Sequence, residues 1–279
     1  MDVWRPGAAP YPESLARLAE PPRVLYAQGD AATIDRPVVA VVGTRRATPY
    51  GERVARGIST ALARAGVCVV SGLALGIDTV AHQAVLGVGG ATCAVLGTGL
   101  DIHYPASHAR IQAAIAERGL VLTEYELGTP ARRWSFPQRN RVIAGLARAV
   151  IVVEAGRASG ALGTAVFADQ MGRAVAAVPG PIDASQSQGT NGLIRDGAIA
   201  ITDVTDVLLL AGVVGKGKGV PTLSGDEATV WKALGTGRID ADVLAARSRL
   251  PTSRCLAALT ALELAGLVTG ELDGTYGRA

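Results

Sequence analysis

The chain has 279 residues, 49% hydrophobic but only 4% aromatic, so a sizeable core is available and Ala, Val and Leu must fill it. A net charge of +3 and a pI of about 8.9 are compatible with a polyanionic partner without demanding one. Cys68, Cys93 and Cys255 stand apart in apolar contexts, the start MDVWRPGAAPYPESL has no signal-peptide pattern, and no run of about 18 apolar residues occurs. These features exclude a disulfide framework, a zinc site and a membrane span, and fit a reducing cytoplasm.

Residues 1–37 are Pro-rich and read as an irregular N-terminal extension with one short helix near Glu13 to Ala19. From Val38 the pattern is regular. Apolar runs at 38–42, 67–70, 91–96, 120–123, 149–153 and 174–178 read as strands. Helical spacing separates them at 51–65, 77–86, 107–117, 139–147 and 161–171. Short runs buried on both faces and alternating with helices predict a Rossmann-like α/β domain over 38–211, doubly wound around a mainly parallel sheet. Thr205 to Leu210 continues the pattern, and Gly-rich 212–221 reads as a linker. Helices at 226–234, 239–246 and 251–264, then two short strands around Asp273-Gly274, predict a winged-helix domain over 222–279. That domain carries six Lys/Arg against seven Asp/Glu. Its third helix is mostly apolar, so it reads as a protein-contact or packing module, with DNA binding second.

In a doubly wound sheet, ligands bind at the carboxyl ends of the strands. The stretch VVGTRRATPYG opens like a phosphate-binding turn but lacks the further glycines of a dinucleotide site. It places Arg45 and Arg46 after Gly43 and Thr44. Ser71-Gly72, Gly97-Thr98-Gly99 and the segment from Glu154 to Gly160 close other strands. One glycine turn is only a tight connection; four at the same edge, one bearing arginines, point to a polyanion or nucleotide. Between Glu126 and Glu154 there is no acid, and the segment ARRWSFPQRNR places Trp134 and Phe136 among Arg132, Arg133, Arg139 and Arg141. Cations that track a backbone and rings that stack on bases compose a single-stranded nucleic-acid groove. Pro137 and the lack of helical register before it favour that groove over a core Trp and Phe flanked by solvated arginines. His82, His103 and His108 have no second ligand at metal spacing. Asp78, Asp101, Glu124 and Glu154 lie near strand ends, but no nucleophile–base pair or Gly-x-Ser-x-Gly elbow accompanies them.

The succession VAVVGTRRATPYG, VVSGLALGIDTVAHQAVL, AVLGTGLDIHYP, LTEYELGTPARRWSFPQRNRVIAGL, VVEAGRASGALGTAVFADQMGRAVAAVPG and SQGTNGLIRDGA resembles the DNA-processing protein A family (DprA/Smf) over about residues 11–210. The tail LTALELAGLVTGELDGTYGR is similar to that family's winged-helix domain. Members often also have an N-terminal helical domain. This chain begins too late for one, so the expectation is a short member or a truncated chain.

The resemblance implies a cytoplasmic, cofactor-free homodimer that binds single-stranded DNA and loads the RecA recombinase during natural transformation, without enzymatic turnover. It implies that Gly43, Thr44 and Arg45 form a turn whose arginine contacts a phosphate, with Arg46 beside it. Within the loop from Arg133 to Arg141, Phe136 would stack on a base. Arg139 and Arg141 would hold the backbone, and Asn140 would position the loop or touch sugar or base. Ser71 and Gly72 are further candidates at the same edge.

The alternative is a Rossmann-type nucleotide-binding enzyme resembling the phosphoribohydrolases. Those carry Pro-Gly-Gly-x-Gly-Thr with a glutamate two residues on. The comparable stretch here, Ala158 to Thr164, is followed by Ala165, Val166 and Phe167, so the glutamate is missing.

Overall fold

The computed structural model describes residues 1–213, 223, 225–235, 238–264, 267–270 and 274–278. These fall into two compact units, Met1–Gly215 and Lys216–Ala279. Residues 214–222, most of the expected linker, lie outside the described residues, as does Asp273 of the expected hairpin turn.

In the first unit the chain runs through β1 (Asp2–Trp4), α1 (Glu13–Ala16), β2 (Leu25–Gly29), β3 (Val38–Val42), α2 (Pro49–Arg64), β4 (Cys68–Ser71), α3 (Ile77–Gly87) and β5 (Thr92–Leu96). It continues through α4 (Ala109–Arg118), β6 (Leu120–Thr123), α5 (Ser135–Leu146), β7 (Ala149–Val152), α6 (Ala161–Gln170), β8 (Ala174–Ala177), α7 (Gln188–Arg195), β9 (Ile199–Ala200) and α8 (Val204–Leu210). The strands form one sheet in the order β1-β2-β6-β5-β4-β3-β7-β8-β9. Pairing is parallel from β6 to β9, and β2 joins β6 antiparallel.

The apolar strand runs have a direct cause. On β3, Val38, Ala40 and Val42 pack into a cluster with residues of α5 and α6. Val39 and Val41 of the same strand pack on the other face against α2 and α3. Both faces are covered, so alternation disappears and every β3 residue is buried. The strand order reverses direction between β3 and β7, the point where a doubly wound sheet opens a crevice at its carboxyl edge.

Two expectations for this first unit are corrected. The first 37 residues are not an irregular extension: they supply β1 and β2, and Leu25 and Ala27 enter the core. β1 has only three residues, and β2 is buried on one face only, so no apolar run marks them. The segment around Phe136 is not a loop either. Helix α5 begins at Ser135, and Pro137 sits in its first turn. A proline is tolerated there because its missing N–H would have no partner inside the helix.

The second unit has α9 (Gly225–Leu234), β10 (Ile239–Asp240), α10 (Ala241–Ser248), α11 (Thr252–Leu264), β11 (Val268–Gly270) and β12 (Thr275–Arg278). The strands pair in the order β10-β12-β11, giving a winged-helix arrangement with its own core of Val230, Leu244, Cys255, Leu259 and Leu262. Residues 239–240, expected to open the second helix, form β10 instead. Arg254, the only cation of α11, is bound by Asp226 through two hydrogen bonds of 2.6 Å.

Candidate nucleic-acid interface

The loop from Gly43 to Thr48 leaves β3 at the crevice. Gly43 is required by space: a Cβ there would stand 2.6 Å from Ile77 Cγ1 and 2.9 Å from the Glu154 carbonyl oxygen. Thr44 is buried and its N–H donates to that same carbonyl at 2.7 Å. Its hydroxyl accepts from the Arg46 N–H at 3.2 Å. At the far end, Thr48 caps α2 by accepting from the Gly51 N–H at 3.1 Å. The Glu154 carboxylate accepts from the Thr48 N–H at 2.9 Å and from its hydroxyl at 2.7 Å. One residue thus holds both ends of the loop.

That carboxylate occupies the N-terminal end of α2. A Cβ on Gly51 would come within 2.4 Å of Glu154 Oε2. In a nucleotide-binding turn this is where a phosphate meets the helix dipole. Here an internal anion fills it, and the arginines are turned outward.

Arg45 and Arg46 are both exposed. The Arg45 guanidinium lies over the Phe136 ring, 5.1 Å from its centroid. This contact fixes a long side chain against a ring at the mouth of the crevice. A cavity of about 570 Å³ opens beside them. Gly43, Thr44, Arg45, Arg46, Phe136 and Asn140 line it, facing Ser159, Gly160, Phe167 and Gln186.

Asn140 bridges the walls: its side-chain amide donates to the Gly160 carbonyl at 3.1 Å, tying α5 to the turn before α6. Gln186 donates to the Arg46 carbonyl at 3.4 Å. Arg133 is exposed, two residues before α5.

Four expected contact residues are engaged by other groups of the protein, three of them in its interior. Ser71 is fully buried and its hydroxyl donates to the Val41 carbonyl at 2.7 Å, tying β4 to β3. The Gly72 N–H donates to Asp78 Oδ2 at 3.0 Å. Arg139 was expected along a DNA backbone, but it is only 5% exposed. Its guanidinium donates to the Gly72 carbonyl at 2.6 Å and to the Val95 carbonyl, so it braces the ends of β4 and β5 beneath the cavity whose wall it joins. Burial lowers its pKa to about 10, leaving it charged at neutral pH. The same burial raises the Asp78 carboxyl above the ordinary carboxylate range, with Arg139 opposing that shift. Arg141 points away from the crevice and pairs with Glu124 at 2.5 Å.

His82 and His108 are structural, and His103 is exposed. His82 is fully buried with Nδ1 2.7 Å from the Thr92 hydroxyl. His108 Nδ1 lies 3.0 Å from the Leu73 carbonyl. Among the described residues no three His, Cys, Asp or Glu gather in a metal-binding cluster, and no helix is long and apolar enough to cross a membrane.

The model of the family described as DNA recombination-mediator protein A matches residues 2–211, and that of the DprA winged helix domain matches 217–274. The chain belongs to the DprA family. A crystal structure of DprA from Streptococcus pneumoniae is 41% identical, with a TM-score of 0.72, covering 75% of this chain and 73% of that one. A Helicobacter pylori DprA structure is 32% identical, with a TM-score of 0.67, covering 73% of this chain and 92% of that one. That Helicobacter protein is described as having a unique single-stranded DNA binding mode. A curated relative from Mycobacterium tuberculosis is 44% identical over 257 residues, covering 88% of this chain. The chain spans 66% of that relative's length.

Tyr104, Phe167 and Gln186 were not singled out by sequence reasoning. Gln186 and Phe167 gave no local signal. Tyr104 did: an aromatic before proline in a loop closing a buried strand.

Proposed function

We propose that this DprA-family protein binds single-stranded DNA in the crevice between the β3 and β7 loops. The observation that carries this is the outward-facing Arg45, held over the Phe136 ring beside a lined cavity. The guanidinium takes a phosphate, and the ring offers its remaining surface to a base. Arg46, Arg133 and Asn140 add contacts along the same edge. The likeness to the Helicobacter protein supports this reading. We further propose the family role: a cytoplasmic homodimer, joined through the Rossmann-like unit, that hands single strands to the RecA recombinase in natural transformation without chemical turnover.

The nucleotide-enzyme alternative is less well supported. Glu154 fills the end of α2 where a nucleotide phosphate would sit, and the glutamate expected two residues after Thr164 is Val166 in this chain. In the winged-helix unit the only cation of α11 is engaged by Asp226, which favours a protein-contact role over duplex reading. Anisotropy titration of labelled oligo-dT against a duplex of equal length tests the proposal. Selective binding of the single strand is expected; equal or absent binding would refute it.

A further inference from the structure

The rings at this edge extend beyond Phe136. Tyr104, in the loop between β5 and α4, is 47% exposed and its ring centroid lies 5.3 Å from that of Phe136, tilted by 37°. Among the described residues its hydroxyl has no hydrogen-bond partner. Trp134 is 53% exposed and meets Tyr125 edge-to-face at 5.9 Å. Tyr125 is itself anchored: its hydroxyl donates to the Ser135 carbonyl at 3.3 Å. Both exposed rings are thus held by a neighbouring ring.

They lie on one side of Arg45. The sheet order places the β3, β4, β5 and β6 loops in succession, and Tyr104 and Trp134 belong to the last two. In the other direction the β7 and β8 loops, EAGRASG and VPGPIDASQS, contain no ring; Phe167 lines the cavity from α6, and the Tyr50 hydroxyl donates to the Pro179 carbonyl at 2.9 Å. Three inter-strand steps of about 4.8 Å span about 14 Å, room for about four nucleotides at a stacked rise of about 3.4 Å.

Charge on that side permits a polyanion. The Asp101 carboxylate accepts from the Gly128 N–H at 2.8 and 2.9 Å, and Glu124 is paired with Arg141. Exposed Glu126 stands against exposed Arg132 and Arg133.

We infer that the bound strand runs from the β3 loop towards β6, with Tyr104 as a second base platform beside Phe136 and Trp134 as a third. The inference rests on the single-strand reading above. An exposed ring offers its surface to any base, so this site selects unpaired strands without selecting sequence.

The test compares wild type, Arg45→Ala, Tyr104→Ala, Trp134→Ala and Tyr104→Phe. Each is titrated against oligo-dT of 20 nucleotides and against an abasic strand of equal length. Tyr104→Ala and Trp134→Ala should each weaken oligo-dT at least about fivefold and leave the abasic strand unchanged, since only bases stack. Tyr104→Phe should bind as wild type. If Arg45→Ala loses binding while both alanine ring variants bind oligo-dT as wild type does, the extended platform is wrong and the Arg45 site stands. A wild type that fails to bind oligo-dT overturns both.

Discussion

The Glu154 carboxylate receives two hydrogen bonds from Thr48, 2.9 Å from its N–H and 2.7 Å from its hydroxyl. The partners are 106 residues apart in the chain, and their contact closes the loop that presents Arg45 and Arg46. Hydrogen bonds to a buried charged group are each worth about 1.5–3 kcal/mol. Glu154→Ala, which removes both, is therefore expected to lower stability by about 3–6 kcal/mol in urea unfolding. It should also weaken oligo-dT binding, because the loop loses its anchor. Glu154→Gln keeps one acceptor and should lie between alanine and wild type. If Glu154→Ala binds and unfolds like wild type, the anchoring role is wrong.

Arg139 and Arg45 look alike in the sequence and should behave oppositely. Arg139 is buried and braces Gly72 and Val95, so Arg139→Met leaves polar groups unmatched in the interior. A loss of about 3–5 kcal/mol is expected. Arg45 is exposed, and Arg45→Ala should cost at most about 1 kcal/mol. Urea midpoints of the two variants check this ordering. A stable Arg139→Met protein with impaired DNA binding would return Arg139 to the contact surface.

His82 sets an acid limit. Burial lowers its pKa from 6.5 to about 3, so the folded protein keeps it neutral while the unfolded chain protonates it. Its stabilising contribution is full above pH 6.5 and is lost as pH falls towards 3. The loss is up to about 5 kcal/mol. Asp78 and Glu124, both raised by burial, act in the opposite direction by taking up protons first in the folded state. Urea unfolding at pH 7 and pH 4.5 should therefore show a smaller acid loss in His82→Gln than in wild type. An equal loss would remove His82 from the acid response.

Gly72 tests the space behind the crevice. A Cβ there would lie 2.5 Å from the Arg139 guanidinium carbon. Gly72→Ala must displace that side chain, and a loss of about 1–3 kcal/mol is expected from overpacking. Combining it with Arg139→Met should be less damaging than the sum of the two, because the obstruction is gone. A fully additive double variant would mean the two residues do not share that space.

The strands from β3 to β8 were legible because burial on both faces leaves unbroken runs of Val, Ala and Ile. Strands β1 and β2 were not: β1 is a three-residue edge strand, and β2, paired between β1 and β6, is buried on one face only, so neither makes such a run. Pro137 misled for a local reason: a proline that ends most helices also fits a first turn. The role of Arg139 was illegible for a tertiary one. Two carbonyls on β4 and β5 meet its guanidinium only once the sheet has formed, and no spacing within ARRWSFPQRNR signals that. Gly72 left a faint trace, a small residue after a strand, where room for another side chain was needed. The exposed place of Arg45 at the mouth of the crevice was legible because the arginine follows a glycine that ends a strand at the carboxyl edge.

The central claim is that the Arg45–Phe136 pair forms a single-strand site. The most direct measurement is oligo-dT affinity of wild type and of the Arg45→Ala, Phe136→Ala double variant at two salt concentrations, with a duplex control. Wild type should bind the single strand selectively, and its affinity should fall with salt by about 0.7 log units per log unit for each phosphate neutralised. The double variant should lose most of that binding and have a shallower slope. Binding that survives in the double variant, or wild-type affinity indifferent to salt, would contradict the account.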